Sequence, residues 1–130
     1  MPFYPASGKA TLLNANGQAF VFNNERVGAG TPNKASIGVL LARGQQAQGG
    51  FPFEFAVELS FSAAPGVFEV NVQGSETDTD GSYCLLGTAI TAVNGSNYAR
   101  FEGVNFYPRF VRVFVKTLTN DVNVTAVITR

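Results

Sequence analysis

From Phe51 to Phe61 apolar side chains take every second position, with Phe51, Phe53, Phe55, Val57, Leu59 and Phe61 alternating with Pro52, Glu54, Ala56, Glu58 and Ser60. A repeat of two is that of an extended strand, whose side chains point alternately to its two faces, and it excludes an amphipathic helix here. The repeat returns between Arg109 and Arg130. Val111, Val113, Val115 and Thr117 oppose Phe110, Arg112, Phe114 and Lys116; then Val122, Val124, Ala126 and Ile128 oppose Asp121, Asn123, Thr125 and Thr129. The intervening Thr119-Asn120-Asp121 has side chains that tolerate a tight reversal, so this stretch reads as a hairpin with one face on a core. Phe68, Val70 and Val72, reached through Ser62-Ala63-Ala64-Pro65-Gly66, read as the second arm of another hairpin begun at Phe51.

Twelve Phe, 14 Gly and 6 Pro in 130 residues favour strands and turns over helices. A chain of this length forms one domain and buries roughly two-thirds of its unfolded surface without staples. The expected fold is all-β, a single-domain β-sandwich over residues 1–130, of jelly-roll type. Its main antiparallel core spans residues 51–130, its weakly patterned strands and loops 10–50, and an extended N-terminal arm 1–9. Expected core residues are Phe53, Phe55, Val57, Leu59, Phe68, Val70, Val111, Val113, Val115, Val122 and Val124. In the first third, Ala10 to Leu13 and Gln18 to Phe22 read as strands around the turn Asn14-Ala15-Asn16-Gly17. Asn23 to Lys34 then reads as a loop, Ser36 to Leu41 as a short strand and Arg43 to Gly50 as a connector. Ser82 to Val93 reads as a long apolar strand and Tyr98 to Val104 as another.

The chain has no His, which removes the commonest general base and every Ser-His or Cys-His nucleophile arrangement. Glu54 and Glu58 lie on the outward face of a strand, where solvated charge is the ordinary explanation, so no enzyme is expected and no cofactor. The lone Cys84 allows no intramolecular disulfide and reads as a small buried apolar residue. The start MPFYPASGKATLL lacks the basic and apolar regions of a signal peptide, and no apolar run reaches the roughly 18 residues that span a bilayer. Synthesis and use in the cytoplasm, without membrane contact, are expected. Asn94-Gly95-Ser96 and Asn123-Val124-Thr125 then read as chance matches to a glycosylation pattern.

Net charge is zero, yet no basic residue falls between Arg43 and Arg100, where Glu54, Glu58, Glu69, Glu76, Asp78 and Asp80 lie. Either the fold keeps the signs apart, as a lattice contact would use, or it mixes them again on its surface. Glu76, Asp78 and Asp80 precede Gly81 with the spacing that opens a calcium loop. The closing position holds Gly87 instead of Glu, so a surface turn is the better reading. Gly28-Ala29-Gly30 lacks the third glycine of a dinucleotide fingerprint and is a turn. Arg109, Arg112 and Lys116 interleaved with Phe110 and Phe114 have the look of a nucleic-acid stacking platform, but zero net charge disfavours nucleic acid. A protein-contact face at Phe110, Arg112 and Phe114 explains them better. Phe3 and Tyr4, between Pro2 and Pro5, suit an arm that docks on another surface.

The run Phe61-Ser62-Ala63-Ala64-Pro65-Gly66-Val67-Phe68-Glu69-Val70-Asn71-Val72-Gln73 is followed by Thr77-Asp78-Thr79-Asp80-Gly81-Ser82-Tyr83, Phe110-Val111-Arg112-Val113 and Val124-Thr125-Ala126-Val127-Ile128-Thr129. In that order it resembles the capsid decoration, or cement, proteins of tailed bacteriophages and related small head proteins. The resemblance covers about the last three-fifths of the chain. It implies a structural virion protein bound in many copies to the major capsid protein on the outside of the head, as a homotrimer that stabilises the shell. No catalytic motif carries over. A carbohydrate- or receptor-binding sandwich of a phage tail is the second reading, weakened by the absence of Trp and the presence of only four Tyr.

Overall fold

A computed structural model describes residues 10–30, 33–41, 53–106 and 108–130. The expected arm at residues 1–9, with Phe3 and Tyr4, and the connector from Arg43 to Gly50 lie outside the described residues. The chain forms β1 (Thr11–Leu12), β2 (Gln18–Val27), β3 (Lys34–Ala35), β4 (Val39–Leu40), β5 (Phe53–Phe61), β6 (Phe68–Ser75) and β7 (Cys84–Leu85). It continues with β8 (Tyr98–Phe106), β9 (Phe110–Leu118) and β10 (Val122–Thr129), and a 3-10 turn covers Asp80–Ser82. Two sheets pack face to face. One runs β1-β4-β9-β6-β7, with β3 also on β9; the other runs β2-β10-β5-β8.

The alternation places the strands' inner faces as expected. Phe55, Val57, Leu59, Phe68, Val70, Val111, Val113, Val115, Val122 and Val124 are all buried in one cluster, joined by Ala19, Val21, Phe22 and Val27 of β2. Of Phe53 the backbone alone is described.

The two expected hairpins are corrected. β9 and β10 lie in different sheets, as do β5 and β6, so each pair stacks across the core instead of sharing backbone bonds. Alternation allows both arrangements, because it fixes which face is buried and not which neighbour the strand bonds. The links between these strands form two arches laid side by side. Val67 N–H donates to Thr119 Oγ1 at 2.8 Å, Thr119 N–H to Val67 O at 3.1 Å and the Asn120 side-chain amide to Ala64 O at 3.1 Å. Gly66 sits at φ +73° against Thr119 and Asn120, where a side chain would meet both left-handed strain and a steric clash.

Other boundaries move for local reasons. The strand read over Gln18 to Phe22 runs on to Val27, through Asn24 at φ 54°, where the register against β10 shifts and Asn24 N–H turns to Thr125 Oγ1. Of the strand read over Ser36 to Leu41 only β4 forms; Ser36, Ile37 and Gly38 separate it from β3, and buried Ser36 bridges the gap by accepting from Val113 N–H at 2.9 Å. The long strand read over Ser82 to Val93 is only β7, after which the chain rejoins β6 at Ile90 through reciprocal bonds with Val70. An apolar run without period two presents no single face for a sheet to bury, and Leu86, Ile90 and Val93 reach the core only in part. Cys84, expected to be buried, is exposed on the edge strand β7.

Candidate functional site

Arg112 is an arginine on the outer face of β9, yet it is 4% exposed. The segment after β6 folds back over that face and roofs it. The Arg112 guanidinium donates from Nε to Gln73 Oε1 at 2.7 Å, its cross-strand neighbour, and from Nη1 to Asp80 Oδ1 at 2.9 Å. It lies over the Tyr83 ring at 4.2 Å and near the Phe114 ring at 5.8 Å. Tyr83 in turn donates its hydroxyl to Asp78 Oδ1 at 2.7 Å. Both groups press on Gly38, where a Cβ would meet the Tyr83 hydroxyl and lie 2.7 Å from Asp78 Oδ1. Only glycine leaves room there.

The strap is wound around one hydroxyl. Ser82 Oγ lies 2.6 Å from Ser75 Oγ, 3.1 Å from Thr77 Oγ1 and 2.8 Å from Thr79 Oγ1, and its one proton faces the carbonyls of Thr77 and Thr79, at 2.9 and 2.7 Å. Burial of this kind moves the ionisable groups. Desolvation pushes the Arg112 guanidinium down to about 10, still charged at neutral pH. Tyr83 is held well above the ordinary tyrosine range, first by burial and then by its hydrogen bond to Asp78 and that carboxylate's charge.

This geometry recasts the sequence expectations. Of the expected contact residues, Phe110 and Phe114 are half-buried and Arg112 is buried beneath the strap that it holds. The three acids spaced like a calcium loop turn to different partners: Glu76 accepts from Arg109 N–H at 3.3 Å, Asp78 from Tyr83 and Asp80 from Arg112. No group of three or more His, Cys, Asp or Glu among the described residues is arranged to hold a metal ion. Of the two readings of the charge pattern, the fold favours mixing. Arg26 pairs with Asp121, Lys34 with Glu25, Arg100 with Glu58 and Glu102, Arg112 with Asp80 and Lys116 with Glu69.

The outer face of the other sheet was not singled out by sequence. Three cross-strand rows lie on it, one running Phe20, Val127, Glu58 and Arg100, flanked by Thr125, Ser60 and Tyr98 and by Thr129, Ala56 and Glu102. Phe20 is 51% exposed and Tyr98 36%. Tyr98 and Arg100 both donate to Glu58 Oε2, and the hydrogen bond to Glu58 is the main reason the Tyr98 hydroxyl is held above its ordinary range. A shallow cavity of about 200 Å³ opens beside this row, lined by Arg100, Glu102, Thr129 and Arg130. The signal was present in the sequence as Tyr98, Arg100 and Glu102 at alternate positions, one face of a single strand. Among the described residues no helix is long and apolar enough to cross a membrane. No protein-family model, curated protein or solved structure matches this chain.

Proposed function

We propose that the chain is a non-enzymatic virion protein of the capsid-decoration type, carried in many copies on the outside of a phage head by contact with the major capsid protein. The observation that supports this is the strand order. Sheet β2-β10-β5-β8 faces β4-β9-β6-β7, and the chain crosses between the sheets at nearly every link from β2 to β10. We read that order as a jelly roll, an architecture used by viral capsid proteins and by lectins. The residue-level resemblance from Phe61 to Thr129 points to the first of these.

A decoration protein needs broad faces and firm loops more than a deep cleft. The roofed face, the paired arches and the polar outer rows supply such surfaces. The lectin branch keeps a second reading alive, a carbohydrate- or receptor-binding tail module. Tyr98, Glu58 and Arg100 beside the small cavity are the observation that favours it. Quantitative mass spectrometry of purified particles separates them. Hundreds of copies per particle are expected; a handful assigns the chain to a tail, and absence from the particle overturns both readings.

A further inference from the structure

Strand β8 is an edge strand, paired on one side with β5 and on the other with no described element. Its phase is set by Phe61 N–H, which donates to Asn97 O at 2.9 Å. Antiparallel bonding alternates, so Asn97, Ala99, Phe101 and Gly103 turn their backbone groups toward β5, and Tyr98, Arg100 and Glu102 turn theirs to the open side. The Tyr98 carbonyl already accepts from Asn94 N–H at 2.6 Å. The N–H and C=O groups of Arg100 and Glu102 have no backbone partner on that side among the described residues.

Open edges are normally blunted by proline, a bulge, charged side chains or a covering loop. The opposite edge of the same sheet, β2, is irregular, with register shifts against β10 and Asn24 in a left-handed conformation. Between Tyr98 and Gly103 β8 has no proline and keeps an even register with β5; the shift lies beyond, toward Phe106. Its two charges point outward and are opposite in sign.

We infer that β8 pairs antiparallel with β8 of a second copy about a two-fold axis at Phe101, joining two four-stranded sheets into one. In that register Arg100 of each copy faces Glu102 of the other as a hydrogen-bonded pair, using all four free backbone groups of each strand. Moving the register by one bonding step either way sets Arg100 against Arg100, or Glu102 against Glu102, and like charges directly opposite are unfavourable. A further step toward the N-terminus calls on the Tyr98 carbonyl, which the 94–98 turn occupies. The charge pattern therefore selects one self-complementary register and a copy of this chain as the occupant. The inference stands independently of where the protein works, and puts a two-fold contact where the resemblance implies a trimer.

Native mass spectrometry of the full chain at micromolar concentration tests it, with a dimer expected. Glu102→Arg and Arg100→Glu, both at exposed side chains, should each give monomers with an unchanged β circular dichroism spectrum. Mixing the two variants should restore a heterodimer, because every facing pair is again of opposite sign. A wild-type monomer or trimer, a dimer that survives either reversal, or a mixture that stays monomeric overturns the inference.

Discussion

Arg112 and Arg100 each stand on the outer face of a sheet beside a carboxylate, and they differ in what lies above them. Over Arg112 the 76–83 strap closes, leaving its side chain 5% exposed, whereas the Arg100 side chain is 41% exposed and so is its partner Glu58. The first arginine is a structural pin: it ties β6, β9 and the strap together and stacks on Tyr83. The second belongs to a surface network that water screens and competes for. The same residue type beside the same kind of partner thus holds a roof on one face and decorates the other.

The largest expected effect breaks the roof. Arg112→Ala removes hydrogen bonds from a charged donor to Gln73 and Asp80 and leaves Tyr83 without its stacking partner. A loss of about 2 to 3 kcal/mol follows from the worth of such bonds. Arg100→Ala should move the urea midpoint far less, since its partners return to water. Equal shifts for the two variants would mean that the strap contributes nothing to the fold.

The second prediction sharpens the comparison through pH. Tyr83 in the folded protein ionises above its ordinary value of 10.0, while in the unfolded chain it ionises near that value. As pH climbs past about 10, the unfolded state therefore binds fewer protons than the folded one, and stability falls. Below about 10 that contribution is fully present. Arg112, pushed down to about 10 by burial, works with the opposite sign, but it is common to both proteins in a comparison of wild type with Tyr83→Phe. The variant should lose about 1 kcal/mol at neutral pH, the worth of one hydrogen bond, and lose less at alkaline pH. Urea midpoints on either side of pH 10 read the difference. A gap that stays constant with pH would show that Tyr83 is not held by Asp78 and burial.

Much of this contrast was hidden in the sequence for physical reasons. Alternation exposed the buried faces of β5, β6, β9 and β10, because burial acts on each strand separately. It did not reveal that β9 and β10 stack across the core, since that choice depends on which neighbours complete each sheet. Arg112 is visible as a charge between the apolar residues of β9, but the strap that buries it is fixed by Gly38 and Ser82 through contacts with no period at all. Gly38 looked like an ordinary residue within a strand. The Tyr98, Arg100 and Glu102 row is legible as an alternation, yet polar outer faces are so common that the pattern alone marks no site. Its meaning comes from the topology, which leaves β8 at an edge.

The smallest effect concerns what the roofed face tolerates. Asn71 lies on the outer side of β6, opposite Phe114, and is 8% exposed. Its Oδ1 is buried with no hydrogen-bond partner among the described residues. A buried acceptor left unpaired forfeits its hydration without recompense, so replacing it by an apolar group of similar size removes a cost. Asn71→Val also places a β-branched side chain on a strand, where it packs well. The variant should be more stable than wild type by about 1 kcal/mol in urea unfolding. Ser60→Val, on the solvent-facing side of β5, should stay within about 0.5 kcal/mol of wild type, because nothing roofs that position. If Asn71→Val is destabilised instead, Oδ1 is satisfied by an ordered water beneath the covered face, and that face is wetter than its burial suggests.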